Sequence, residues 1–168
     1  MTDNTIKCET AKCETVRPSP SDLLLENQLC FAVYSAAHAF SQAYKQHLEP
    51  LGLTYPQYLV MLLLWEEDGR TVGELGAPLY LDSGTLTPLL KRMEKTGFII
   101  RRRDDQDERK QRIYLSDMGK AIKDAAMTIP SSMLCATGVE LDEVRNLRER
   151  IRQLDCSLRL AAGKSSAA

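Results

Sequence analysis

Leu79-Tyr80-Leu81-Asp82-Ser83-Gly84-Thr85-Leu86-Thr87-Pro88-Leu89-Leu90-Lys91-Arg92-Met93-Glu94-Lys95-Thr96-Gly97 is the stretch whose reading decides the fold. It predicts a helix running to Thr96 and closed by Gly97, a residue suited to the left-handed position after a helix. Its start has two readings. Asp82 or Ser83 can cap it, which leaves Pro88 in the second turn at the cost of a hydrogen bond. Alternatively Thr87 caps it and Pro88 takes the favoured first position. Downstream, Phe98–Arg103 reads as a strand, Asp104–Arg109 as a turn and Lys110–Leu115 as the returning strand. Upstream, Tyr55–Glu67 is nearly apolar all round and predicts a buried helix ended by Asp68-Gly69, with a short helix from Thr71 to Leu79. Helix, helix, hairpin over residues 55–115 is the order of a winged helix-turn-helix.

That order has a chemical counterpart. A helix entering the major groove needs short polar groups near its N-terminus for base edges and cations for phosphates. Ser83, Thr85 and Thr87 supply the first, Lys91 and Arg92 the second. Net charge is only −1, yet nine of the 22 lysines and arginines fall between Lys91 and Arg112. Arg101 and Arg103 on the first wing strand and Arg109 beyond the tip belong to this cluster. A single arginine suits the narrow, negative minor groove, and Arg109 is the candidate. The acids Asp104, Asp105 and Asp107 do not suit DNA. One of them, with Asp107 taken into the candidate set, can orient an arginine through a bidentate pair.

The flanks read as an oligomer interface. Ser21–Glu49 holds no Gly or Pro, and Leu29, Val33, Ala36, Ala37, Phe40, Tyr44 and Leu48 follow helical spacing. Ser21 or Asp22 can cap this helix, and Pro50 with Gly52 can end it. Ser116 caps a helix from Asp117 to Ile129 that Pro130 breaks, and a last helix covers Leu141–Leu160. Its Val144, Leu147, Ile151, Leu154 and Leu158 repeat as a coiled-coil-like seam. The fold expected is mostly α with a small β-wing. Residues 1–20 form a flexible tail, 21–54 an N-terminal dimerisation helix, and 55–115 the winged module. Residues 116–162 form C-terminal dimerisation helices and 163–168 a second tail. No apolar run is long enough to span a bilayer and no signal-peptide core opens the chain, so a cytoplasmic location is expected, with no membrane partner.

Among five cysteines there is no C-x-x-C pair. Stable disulfides are not expected in such a compartment. Cys8 and Cys13 stand in a repeated KCET of the tail, a weak metal signal, and Cys156 reads as packing on the last helix. His38 and His47 suggest neither a metal site nor a triad. No cofactor or metal is expected.

Three motifs in order carry a family resemblance: LENQLCFAVYSA at Leu25–Ala36, TYPQYLVMLLLWE at Thr54–Glu66 and LYLDSGTLTPLLKRME at Leu79–Glu94. With the wing DQDERK at Asp105–Lys110 and YLSDMGK at Tyr114–Lys120, residues 23–160 resemble the MarR family of dimeric winged-helix regulators. Within it they resemble the organic-hydroperoxide-sensing repressors. The resemblance implies that Cys30 is the peroxide-reactive cysteine, that Tyr44 and Tyr55 partner it, and that Cys135 is the resolving cysteine of the other subunit. On the residues alone, Cys30 lies well inside its helix, so the helix N-terminus gives no support to a thiolate, and no Lys or Arg lies within one turn. Tyr34, four residues on, shares its face. Tyr44 stands roughly 21 Å further along an unbroken helix, so the tyrosine reaching Cys30 belongs to an antiparallel copy. Leu29 and Phe31 give an apolar lining suited to organic hydroperoxides.

The function expected is therefore a repressor, not an enzyme. Its reduced homodimer binds double-stranded operator DNA, and organic hydroperoxide acts as inducer through a Cys30–Cys135 disulfide between subunits. Two alternatives stand beside it: a regulator of the same fold governed by a non-covalent small ligand, and a thiol peroxidase.

Overall fold

A computed structural model describes residues 19–104, 107 and 109–163. The expected tails, with Cys8 and Cys13, fall mainly outside these residues, as do Asp105 and Glu108 of the wing. The chain divides into two compact units, Tyr34–Met133 and the flanks 19–33 with 134–163. The helices are α1 (Leu29–Leu48), α2 (Tyr55–Glu66), α3 (Val72–Leu79), α4 (Ser83–Lys95), α5 (Asp117–Ala121), α6 (Lys123–Ala126), α7 (Ile129–Thr137) and α8 (Leu141–Ala161). The strands are β1 (Arg70–Thr71), β2 (Ile99–Arg103) and β3 (Gln111–Leu115).

The unit Tyr34–Met133 is built around α2. Thr54 starts it, with its N–H donating to Gln57 Oε1 at 2.8 Å and its hydroxyl to the same oxygen at 3.0 Å. Tyr58, Val60, Met61 and Leu64 of α2 are buried, as are Leu75 of α3 and Leu86, Leu89, Leu90 and Met93 of α4. Leu48, Ala126, Ile129 and Met133 join the same core. That is why this unit extends beyond the 55–115 expected of the winged module. The antiparallel sheet has the order β1-β3-β2, with Ile99 opposite Leu115 and Arg103 opposite Gln111. β1 was not foreseen. It is two residues long, too short to show an alternation, and it exists by pairing Arg70 with Ile113.

The start of α4 is resolved in favour of Asp82, whose carboxylate accepts from the Thr85 N–H at 2.8 Å. Pro88 is therefore inside the helix. A proline there costs about 3 kcal/mol. Four buried apolar side chains on the same helix, each worth about 1.5–3 kcal/mol, outweigh it.

Two other boundaries differ from expectation. The long helix begins at Leu29, not Ser21: Ser19 caps a short 3-10 turn at Pro20–Leu23, and Leu24 (ψ 137°) and Gln28 (ψ 110°) are extended. Pro130 does not end a helix. It occupies the second position of α7, where its missing N–H costs nothing.

The turn between α3 and α4 depends on backbone contact. Gly76 is buried, and a Cβ built on it would lie 2.6 Å from the Leu81 carbonyl oxygen. The Leu81 N–H in turn donates to the Gly76 carbonyl at 3.0 Å. Gly76→Ala is expected to lower stability by about 1–3 kcal/mol, the usual cost of overpacking. Gly73→Ala in the same helix meets nothing within 4 Å and is expected to be neutral or stabilising. Urea denaturation of the two variants checks the contrast.

Candidate nucleic-acid interface and thiol site

The outer face of α4 carries the expected polar set. Ser83, Thr85, Lys91 and Arg92 are exposed and Thr87 is half-buried. The buried Leu86, Leu89, Leu90 and Met93 fix which face this is. Asp82 is held below the usual carboxylate range, mainly by the Thr85 N–H, so it stays an acceptor at neutral pH.

The wing sorts its charges into inward and outward groups. Asp104 is buried and pairs with the Arg112 guanidinium, which also donates to the Gly69 carbonyl at 2.9 Å. Asp104 also accepts from the Asp107 N–H at 2.9 Å, and Lys110 N–H closes the tip on the Asp107 carbonyl at 2.8 Å. Asp107 Oδ1 then accepts from the Arg109 backbone N–H at 3.2 Å and from its Nε at 3.3 Å. One carboxylate oxygen thus orients Arg109, in place of the expected two-oxygen fork. The Arg109 side chain itself is 93% exposed.

Arg101 is differently employed. Its Nε and Nη2 reach Glu94 Oε2 of α4 at 2.8 and 2.7 Å, and its side chain is 21% exposed. It joins the wing to α4. Arg103 is exposed. Arg102, outside the expected set, lies 5.4 Å from the Tyr114 ring centroid. The strand alternation could have signalled that cross-strand neighbour.

Cys30 and Cys135 are free, exposed thiols in the same compact unit. Cys30 is the second residue of α1, in the first turn, because the helix starts later than the sequence suggested. The argument that it lies beyond the reach of the helix N-terminus is therefore corrected. Backbone N–H groups of a first turn lack partners one turn earlier, and this is a favourable place for an anion. Cys135 lies on α7 and not in a joint before α8. Cys156 is disulfide-bonded, with its partner outside the described residues. This corrects both the packing role and the expected absence of disulfides. α8 buries none of its residues, so the core offered no packing site there.

The tyrosines belong to the other unit. Tyr44 and Tyr55 pack with ring centroids 4.6 Å apart, and Tyr58 lies 5.9 Å from Tyr44. Burial raises the hydroxyls of Tyr44 and Tyr55 above the ordinary tyrosine range, so both remain protonated donors at neutral pH. Tyr34 is exposed and meets His38 edge-on at 4.5 Å. Among the described residues no cluster of His, Cys, Asp and Glu could hold a metal, and no helix is long and apolar enough to cross a membrane.

Residues 42–126 match a sequence family described as transcriptional regulator SarA/Rot. The chain is 48% identical over 152 residues to the HTH-type transcriptional regulator TtmR of Methylorubrum extorquens, covering 90% of this chain and 77% of that one. It is 45% identical over 130 residues to the organic hydroperoxide resistance transcriptional regulator of Bacillus subtilis, covering 77% and 88%. Among solved structures, reduced AbfR bound to DNA superposes with a TM-score of 0.71 at 41% identity, covering 80% of this chain and 94% of that one. Overoxidized AbfR bound to DNA gives 0.68 at 40% with the same coverage. Disulfide-formed AbfR gives 0.55 at 36%, covering 77% and 91%. A further crystal structure identifies AbfR as a protein of Staphylococcus epidermidis.

The Asp82 cap carries a pH signature. Its folded pKa lies below the unfolded value, so its stabilisation is present above the unfolded value of about 3.9 and is lost as pH falls through the lower folded one. Asp82→Ala is therefore expected to be less stable than the parent at pH 7, with the gap closing on acidification. Urea midpoints at pH 7 and pH 3 measure it.

Proposed function

The chain belongs to the MarR-like winged-helix transcriptional regulators, and from that premise we propose that it is a redox-controlled repressor whose sensor is Cys30. The observation that carries the proposal is the pair of free, exposed thiols in one compact unit, Cys30 in a helix first turn and Cys135 on α7. Two relatives support it: a regulator of organic hydroperoxide resistance, and AbfR, solved in reduced, DNA-bound and disulfide-formed states.

The reduced homodimer holds operator DNA in the cytoplasm. Ser83, Thr85 and Thr87 face the major groove, Lys91, Arg92 and Arg103 the phosphates, and Arg109, oriented by Asp107, the minor groove. Arg101 acts through Glu94 to hold the wing against α4. The homodimer is supported by the exposed apolar residues Leu29, Phe31 and Val33 of α1 and Leu147, Ile151 and Leu158 of α8.

The Cys30 thiolate attacks the distal oxygen of an organic hydroperoxide. The O–O bond breaks, an alcohol leaves with a proton, and a sulfenic acid remains. The thiolate of Cys135 from the other subunit then displaces hydroxide from that sulfur, giving a disulfide and water. Tyr44 and Tyr55 of the partner subunit, with Tyr34, supply hydroxyl donors around the reacting sulfur. Each cycle consumes the thiols, so the reaction is stoichiometric and the protein is not an enzyme. That overoxidized AbfR is bound to DNA favours the disulfide, rather than oxidation as such, as the releasing event.

A second reading has one observation in its favour. A cavity of about 550 Å³ is lined by Leu48, Leu53 and Pro56, with Lys45, Thr54 and Tyr55 among its polar residues. It suits a small non-covalent ligand.

Organic hydroperoxide added to the reduced protein–operator complex is expected to release the DNA. Undiminished binding after oxidation would sink the proposal. Cys30→Ser should bind DNA normally and ignore peroxide. Cys135→Ser should give no dimeric crosslink on non-reducing gels and should keep its DNA at peroxide levels that release the parent.

A further inference from the structure

Tyr80 closes α3 in the left-handed region, at φ 54° and ψ 34°. Among the described residues it is the only non-glycine residue with a positive φ. Glycine or asparagine is the ordinary occupant of this position after a helix, because a Cβ crowds the following carbonyl there. The surroundings impose the conformation. Tyr80 N–H donates to the Ala77 carbonyl at 3.2 Å, Leu81 N–H donates to the Gly76 carbonyl at 3.0 Å, and the bare Gly76 Cα admits the Leu81 carbonyl. Two residues later Asp82 starts α4 with an extended backbone (φ −73°, ψ 163°). The chain must reverse within Tyr80 and Leu81.

The side chain carried through this reversal is a large aromatic phenol that stays 59% exposed. Core burial therefore does not account for a tyrosine where the backbone favours glycine. Strain of this kind is a reason to look for a function. The ring stands at the solvent edge of the helix-turn-helix turn, beside the exposed Ser83 and Thr85 at the start of α4. When the N-terminal end of such a helix enters the major groove, the turn before it lies along the DNA backbone.

We infer that Tyr80 is a phosphate-contacting residue that positions α4 in the groove, its hydroxyl donating to a phosphate oxygen of the strand flanking the site. This rests on the DNA-binding reading above. A phosphate contact sets register and orientation and carries no base information. Because the phenol is neutral it displaces no counterion, so its loss leaves the salt dependence of binding unchanged.

The test uses the full-length, reduced protein with two probes: a duplex enriched from random-sequence DNA on the parent protein, and a scrambled duplex of the same composition. For Tyr80→Phe, affinity is expected to fall about tenfold on both duplexes, from one lost hydroxyl hydrogen bond in each half of a dimer. The slope of affinity against salt should match the parent's. For Tyr80→Gly, affinity should fall at least as far while the melting temperature stays level or rises, since glycine relieves the left-handed strain. Binding by Tyr80→Phe within twofold of the parent overturns the inference, whatever the fate of the glycine variant. A loss confined to the enriched duplex also overturns it, because that would be base readout. A parent protein that enriches no duplex removes the DNA-binding reading itself. A parent that binds, beside Tyr80 variants that bind equally well, removes only the role of Tyr80.

Discussion

A Cβ at Gly76 would stand 2.6 Å from the Leu81 carbonyl oxygen, and the absence of that atom lets two backbone segments touch. The turn between α3 and α4 closes through this approach. Asp82 then emerges with the extended backbone that an N-cap needs, and its carboxylate organises the first turn of α4. The face of α4 that remains outside follows from the other side of the same helix, where Leu86, Leu89, Leu90 and Met93 bury against the core that α2 anchors. Backbone contact sets where the helix starts, and apolar burial sets how it is rotated. Ser83, Thr85, Lys91 and Arg92 become available by exclusion.

The wing solves an electrostatic problem that its sequence seemed to pose. An acidic tip beside a polyanion is unfavourable if the carboxylates face outward. Here Asp104 is withdrawn into a buried pair with Arg112, and Asp107 spends one oxygen on the backbone and side chain of Arg109. The acids shape the hairpin and present a cation. Arg101 is likewise drawn inward, to Glu94 of α4. Mutual positioning of α4 and wing thus rests on an ion pair whose members sit seven positions apart in sequence.

For the proposed sensor, a shift in one helix boundary matters more than any new contact. Because Leu24 and Gln28 are extended, α1 begins at Leu29 and Cys30 falls in its first turn. A cysteine that composition placed on the middle of an apolar face stands instead next to unpartnered backbone N–H groups. Tyr44 and Tyr55, kept protonated by burial, are equipped to donate to an anionic sulfur.

The periodicity and turn chemistry of the sequence by themselves determined the helix–helix–hairpin order, the Thr71 and Ser116 caps, and the polar and basic residues that line the candidate surface. These are local properties: capping, alternation and helical spacing act over four or five residues and are written where they act. Tertiary structure alone decided the rest. β1 exists only because β3 pairs with it. Pro88 is tolerated inside α4 because buried leucines outweigh the lost hydrogen bond. Pro130 begins α7 instead of ending its predecessor. Arg101 and Arg112 became braces, while the neighbouring Arg109 stayed in solvent. The role of each of these residues depends on atoms supplied by distant parts of the chain, so it was settled only when folding brought them together. The winged helix-turn-helix was legible from the beginning; which of its charges face outward was not.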